Sequence, residues 1–421
     1  MSSTRRTLLY MAATVLIILA PAIEGALPPT SFWPCYVVAV GLAGYAFIGA
    51  SERAQKLTLI LASVALTVSA ADLVLRFTPI VFDELVERWP RLPLVNRYVP
   101  NLRYEGKRFN DLSRMAGVKE WREEKRITLL TDAAGFRNES LDQSRPLDVL
   151  ILGDSFGGGG VSQEYTWSSI LARDYHLNTY NLSVPASSPW QEYVNLWAEK
   201  DRLKTRAGTV LIWQLFTGND LDEYYGSMDI NALPWCGRLR AWLNRLNAKR
   251  ARSPIHYLMA NIRAKHDARA DVLAKDFLNG HKLLFYKPYT ETSFRTSEQI
   301  ITHQNYAALR ATIHAVKELT AARGIRLGIV LVPAKEEVYS WVWQNSPPWT
   351  ADPAPTGFSV VLARLCAEEG VSFLDLKPPL IKESRRTYEE TSQLLYWYDD
   401  THLSTHGNLF TATLIYNELV R

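Results

Sequence analysis

Ser155 stands in Gly153-Asp154-Ser155-Phe156, directly after the apolar run Asp148–Gly153 and just before Gly157 to Gly160. A serine hydroxyl is a poor nucleophile until a base removes its proton. The base on offer is His402, in Asp399-Asp400-Thr401-His402-Leu403-Ser404 near the C-terminus. An acid two or three residues before a histidine can hold the imidazole in one tautomer, leaving the other ring nitrogen free to take the serine proton. Asn219, in Thr217-Gly218-Asn219-Asp220, adds an amide donor for developing negative charge. Nucleophile, oriented base and oxyanion donor are the three roles that acyl transfer needs. Each residue also has a bland use: Ser155 and His402 as helix caps, Asn219 as a turn residue. Their order and setting together point to chemistry.

The setting is a series of alternating elements. Apolar runs at Asp148–Gly153 and Thr209–Phe216 read as buried parallel strands, and Thr179–Val184, Arg326–Val332 and Val371–Leu376 supply three further strand candidates. Helical spacing appears over Glu164–Asp174, Trp190–Leu203, Ser297–Arg323, Gly357–Glu369 and Ser404–Val420. Strands alternating with helices predict a parallel sheet covered on both faces, with ligands beyond the carboxyl ends of its strands. Ser155 and Asn219 fall at such ends. Residues 80–145, polar and interrupted by Pro90, Pro93 and Pro100, read as a connector with irregular structure. An insertion at about 223–295 breaks the alternation. Between Cys236 and Lys275 it carries ten Lys/Arg against two Asp, which predicts a solvated helical face or a docking surface for anionic polymer or headgroups.

Residues 1–79 differ in kind. Three apolar segments, about Leu8–Ile23, Phe32–Ala50 and Leu57–Phe77, approach or reach the ~20 residues a bilayer span requires. Arg5, Arg6, Arg53 and Lys56 flank them on the side that the positive-inside rule gives to the cytoplasm. Three spans place everything after residue 80 on the far side of the membrane. The alternative is a cleaved signal, since Thr4-Arg5-Arg6-Thr7-Leu8-Leu9 resembles a twin-arginine export sequence. Both readings export the remainder. The net charge of +4, from 47 basic and 43 acidic residues, gives no footprint for nucleic acid. Cys35, Cys236 and Cys366 make neither a disulfide framework nor a metal site, and no cofactor motif is present.

With these blocks in hand the chain resembles the SGNH/GDSL hydrolase superfamily over about 146–421. The blocks run in that family's order: Gly153–Phe156, Asn181–Ser187, Gly218–Asp220 and Asp399–His402. The resemblance implies a flavodoxin-like three-layer α/β sandwich. It also implies ester hydrolysis or acyl transfer through an acyl-serine, with an oxyanion hole made by Ser155, Ala186 and Asn219. Two stretches, Val332–Tyr339 and Tyr396–Gly407, look like the periplasmic SGNH proteins that O-acetylate exopolysaccharides such as alginate. There are two departures. Ala186 stands where the family has its oxyanion glycine. The family's common spacing picks Asp399 as the triad acid, whereas the alginate-type spacing picks Asp400; the former is preferred here. The function expected is a membrane-anchored, extracytoplasmic esterase, deacetylase or O-acyltransferase of cell-envelope carbohydrate. In the transferase case a multispan membrane acyltransferase would be its partner. A lipid esterase at the membrane surface and a non-catalytic glycan-binding scaffold are the alternatives. Trp341, Trp349 and Trp397 are expected first as core-packing residues, with stacking on sugar rings as the alternative.

Overall fold

The computed structural model describes Glu52, Lys56, Ile60, Ser63 and Thr67, then residues 86–88, 95–98, 100–108, 110–123, 125–139, 144–158, 160–228, 271–277, 282–343 and 355–421. The chain divides into two compact units, residues 1–84 with 234–264, and residues 85–233 with 265–421. In the first unit the five described residues are helical, with an ion pair from Lys56 to Glu52 at 2.9 Å. The three apolar segments otherwise lie outside the described residues, as do Cys35, Cys236, Trp349 and the basic stretch 229–270. Among the described residues no helix is long and apolar enough to cross a membrane.

The second unit contains β1 (Val86–Arg88), β2 (Asn96–Tyr98), β3 (Arg103–Arg108), α1 (Asp111–Ala116) and β4 (Lys125–Leu130). It continues with β5 (Val149–Leu152), α2 (Ser155–Gly158), α3 (Trp167–Tyr175), β6 (Thr179–Asn181), α4 (Pro189–Glu199) and β7 (Val210–Phe216). Then come β8 (Val272–Asp276), β9 (Lys282–Tyr286), α5 (Lys287–Ser293), α6 (Ser297–Ile301), α7 (Tyr306–Ala321) and β10 (Arg326–Val332). The last elements are α8 (Lys335–Val338), α9 (Gly357–Glu369), β11 (Ser372–Asp375), α10 (Lys377–Thr391) and α11 (Thr405–Ile415).

The central sheet has the order β11-β10-β7-β5-β6, and each of its pairings is parallel. Renumbered along the chain, this is the flavodoxin order 2-1-3-4-5, whose switch point lies beside its first strand. Here that strand is β5, and Ser155 follows it by three residues. Both faces of the sheet are covered, as the apolar runs predict. Leu150, Leu152, Leu211, Trp213, Ile329 and Leu331 pack on one side with Ile313 of α7 and Leu362 of α9. Val149, Ile151, Val210, Ile212, Val330 and Val332 pack on the other with Ile170 of α3 and Ile415 of α11. Side chains that alternate between two buried faces explain why these strands read as unbroken apolar runs.

Three expectations change. The helix expected over Ser297–Arg323 is interrupted: α6 ends at Ile301 and α7 starts at Tyr306. Between them Asn305 donates through Nδ2 to the carbonyls of Leu221, at 2.9 Å, and Glu223, at 3.1 Å. A tertiary contact to the turn after β7 thus breaks a helical pattern. The described C-terminal part of the insertion is an antiparallel hairpin, β8–β9, followed by the short helix α5, and the hairpin buries Leu283, Leu284 and Phe285. Finally, much of the stretch 80–145 is built into the second unit. It forms the antiparallel ribbon β3–β4 and the helix α1, and Phe136 enters the core.

Candidate active site

The turn after β5 is shaped by a buried glutamine of β7. Gln214 Oε1 accepts the backbone N–H of Asp154 at 3.0 Å and of Gly157 at 3.3 Å. A Cβ at Gly153 would run into this amide, so the glycine is required by close approach. Asp154 Oδ1 takes the Phe156 N–H at 2.9 Å, and the Asp154 carbonyl takes that of Gly158 at 3.0 Å. The N–H of Ser155 has no partner among the described residues. Burial pushes the Asp154 carboxyl up to about 6, against the stabilising N–H of Phe156. Arg137, fully buried, holds the far end of the turn: it donates to the carbonyls of Gly158 and Val161 and, through Nε, to Gln163 Oε1 at 3.1 Å. Asn181 Nδ2 holds the Gly157 carbonyl at 2.9 Å.

His402 reaches this turn from 247 positions away. Its Nε2 lies 2.7 Å from Ser155 Oγ. Its Nδ1 lies 2.7 Å from Asp400 Oδ1, and its backbone N–H lies 3.3 Å from the same oxygen. A spacing of two residues lets the aspartate fold back on its own loop and grip both the ring and the backbone of the histidine. Ser155 is half-buried and the His402 side chain is 19% exposed, so solvent reaches the pair.

The preference for Asp399 as the acid partner is corrected by this geometry. Asp399 is fully buried and faces away from the ring, toward the segment 110–123. Its carboxylate accepts from Asn110 Nδ2 and from the Glu123 N–H, the latter at 3.0 Å. Its carbonyl accepts the N–H groups of Leu112, at 3.1 Å, and Ser113, at 3.3 Å. Asp399 is a staple between the histidine loop and α1.

Asp400 makes its second contact with a cation that sequence reading missed. Lys125 Nζ, at the start of β4, is 3.1 Å from Asp400 Oδ2, with both side chains buried. Burial works to raise the Asp400 carboxyl, but Lys125 and His402 outweigh it and hold the group well below the usual carboxylate range. The same ammonium sits 4.3 Å over the ring of Trp397, which makes that tryptophan a cation's platform. Trp341 packs against Tyr339 and Tyr388 and donates to Ser384 Oγ at 3.3 Å. A second lysine, Lys335 of α8, is fully buried and donates to the carbonyls of Trp397, Tyr398 and Asp400 at 2.7, 2.8 and 3.2 Å. Burial lowers it to about 8, against the pull of nearby Glu336, Asp399 and Asp400. The stretch Val332–Tyr339 therefore carries the clamp of the histidine loop.

The remaining expected donors sit as follows. Ala186 is exposed in a left-handed conformation with φ of 57°, the region that favours glycine. Its carbonyl accepts from Asn96 Nδ2 at 3.3 Å, and its N–H has no partner among the described residues. Asn219 donates one amide hydrogen to Glu223 Oε1 at 2.9 Å; an amide nitrogen carries a second. Asp111, Asp400 and His402 are the one set of described His, Cys, Asp or Glu residues close enough to share an ion. Their atoms are engaged instead with Thr401, Lys125 and each other.

A doubly wound sheet with a serine at the switch point, an imidazole on its hydroxyl and a carboxylate on the imidazole defines the class: a serine-hydrolase-like α/β protein. Residues 289–421 match the family described as the SGNH hydrolase-like domain of the acetyltransferase AlgX. The chain is thus similar to the SGNH superfamily, near AlgX; the matched stretch holds Asp400 and His402, while Ser155, Ala186 and Asn219 precede it. Solved structures it resembles include the psychrotrophic esterase EstA from Pseudoalteromonas sp., at 11% identity over 64% of this chain and 95% of that one, with a TM-score of 0.32. TesA matches at 12% identity over 64% and 97%, with a TM-score of 0.33. A gut microbial diltiazem-metabolizing enzyme matches at 12% over 65% and 47%, with a TM-score of 0.34. No curated protein matches.

Proposed function

We propose that the protein is a serine acyl-ester enzyme that works through an acyl-serine on acylated cell-envelope carbohydrate. The observation that carries this reading is the linear relay Ser155 Oγ–His402 Nε2 and His402 Nδ1–Asp400 Oδ1, each at 2.7 Å. Ser155 Oγ attacks the acyl carbonyl while its proton passes to His402 Nε2. The oxyanion is met by the N–H groups of Ser155 and Ala186 and by the second amide hydrogen of Asn219. Collapse expels the alcohol, which takes the proton from Nε2 and leaves Ser155 acylated. A second acceptor then repeats the sequence in reverse: water gives an esterase or deacetylase, a sugar hydroxyl an O-acyltransferase.

In this proposal the apolar segments within 1–79 anchor the chain in the inner membrane and hold its second unit on the periplasmic side. The likeness of residues 289–421 to an acetyltransferase domain supports acetyl as the acyl group, and the acceptor in this proposal is a polysaccharide hydroxyl. A multispan membrane acyltransferase would then supply the acetyl group. The test is fluorophosphonate labelling of the full chain. Labelling is expected in wild type and lost in Ser155→Ala. An unlabelled wild-type protein that is folded overturns the enzyme reading in favour of a glycan-binding scaffold. Release of acetate from an acetylated polysaccharide, with no fatty acid from lipid ester, is expected next; the opposite result makes it a lipid esterase.

A further inference from the structure

Asp111 has no part in the acyl-transfer scheme, yet its carboxylate lies against the base. Asp111 Oδ2 is 4.0 Å from His402 Nδ1. Thr401 bridges them. Its backbone N–H donates to Asp111 Oδ1 at 3.0 Å and its hydroxyl to Asp111 Oδ2 at 2.5 Å, and the hydroxyl oxygen is 3.3 Å from His402 Nδ1. Asp111, Asp400 and His402 each offer an oxygen or ring nitrogen within 4.8 Å of the others. Two carboxyl groups this close repel when both are ionised, which favours a state that holds one proton between them.

We propose that Asp111 is a positioning residue for the base: with Asp400 it forms a two-carboxyl cradle, sharing a proton, that orients His402 through Thr401 and sets the pH at which the imidazole becomes free to act. The proposal rests on the reading of His402 as the base of Ser155.

The surroundings fit a shared proton. Lys125 from β4 faces Asp400 and keeps the charge of the pair there. Lys335 from α8 is near both carboxyls, and Asp399 and Glu336 offset it. Tyr286 and Tyr289, from β9 and α5, feel the Asp111 charge, and the Asp154 carboxyl feels the charge of His402. Burial, then the neighbouring Asp400 charge, pushes Asp111 up to about 7, although 28% of its side chain remains in contact with solvent. Below that pH Asp111 is neutral. Above it, a second negative charge stands beside His402 and favours the imidazolium. Asp111 in wild type therefore keeps the imidazole protonated to a higher pH than Asp400 alone would.

The experiment compares the pH dependence of fluorophosphonate labelling in the full chain and in Asp111→Asn, which retains an oxygen for Thr401. The acid limb is expected to move down by about 0.5–1 pH unit, the Coulomb effect of one charge about 4 Å away in a largely aqueous surrounding. A limb that does not move, whatever happens to the plateau, overturns the proposal and makes Asp111 a structural clasp. Titration of carbon-13-labelled histidine in the wild-type chain gives a second reading that needs neither the variant nor turnover. The His402 signal, assigned by its loss in His402→Gln, is expected to show two inflections; a single one overturns the cradle. Absence of labelling at every pH would bear on the acyl-enzyme reading, and the histidine titration would still decide the cradle.

Discussion

Two adjacent aspartates of one loop do different work, and the difference is one of direction. Asp400 turns inward to the imidazole and to Lys125; Asp399 turns outward to Asn110 and the Glu123 N–H. Asp400→Asn is expected to slow labelling of the folded protein by about 10³–10⁴-fold, because the imidazole loses its tautomer-fixing acceptor. Asp399→Asn is expected to leave that rate within about tenfold while costing about 1–3 kcal/mol of stability, the penalty of a broken buried hydrogen-bond set. Labelling rates and denaturant unfolding of the two variants check this. Ala186 poses the other question at this scale. A left-handed alanine costs about 1–2 kcal/mol relative to an ordinary backbone. It is held there by flanking structure, including the bond from Asn96 to its carbonyl.

At the scale of elements, the site is an assembly of short pieces fastened by buried polar side chains. Gln214 on β7 forms the nucleophile turn, Arg137 closes it, and Lys335 on α8 gathers three carbonyls of the histidine loop. Glu336 and Glu337 follow that lysine in the chain and are each pushed up to about 7 by burial. Lys335→Met is expected to leave those carbonyls unpaired and to destabilise the fold by about 3 kcal/mol or more. Labelling of the fraction that remains folded should also slow, since the loop that aims His402 is loosened. Unfolding curves paired with labelling rates of the variant test both effects. A variant that lost stability but labelled at the wild-type rate would show that β9, whose Leu284 N–H bonds the Tyr398 carbonyl, suffices to hold the loop.

For the whole molecule, the surprise is how much of the site lies before the first strand of the main sheet. Asn110, Asp111, Lys125 and Arg137 all come from 80–145, and each touches the histidine loop or the nucleophile turn. A chain beginning at residue 146 keeps all five strands of the sheet and every residue of the relay. It is nevertheless expected to be unstable and unlabelled, because Asp400 would lose Lys125 and the turn would lose Arg137. A chain beginning at residue 85 is expected to fold and label. Expression, circular dichroism and labelling of the two truncations would distinguish them.

Periodicity and spacing along the chain were enough to determine the alternating elements, the parallel sheet, the placement of Ser155 at a strand end and the pairing of that serine with a distant histidine. Those features depend on local patterns: apolar runs buried on two faces, a glycine turn, an acid near an imidazole. Folding alone decided which aspartate meets the ring, because both spacings are sterically open and the choice lies with partners far along the chain. Folding also decided the parts played by Asp111, Lys125 and Lys335. Gln214 left a faint trace, as a polar residue in an otherwise apolar strand. A buried polar group takes its meaning from its partner. Partners brought together across 275 or 290 positions leave no period in the sequence to read.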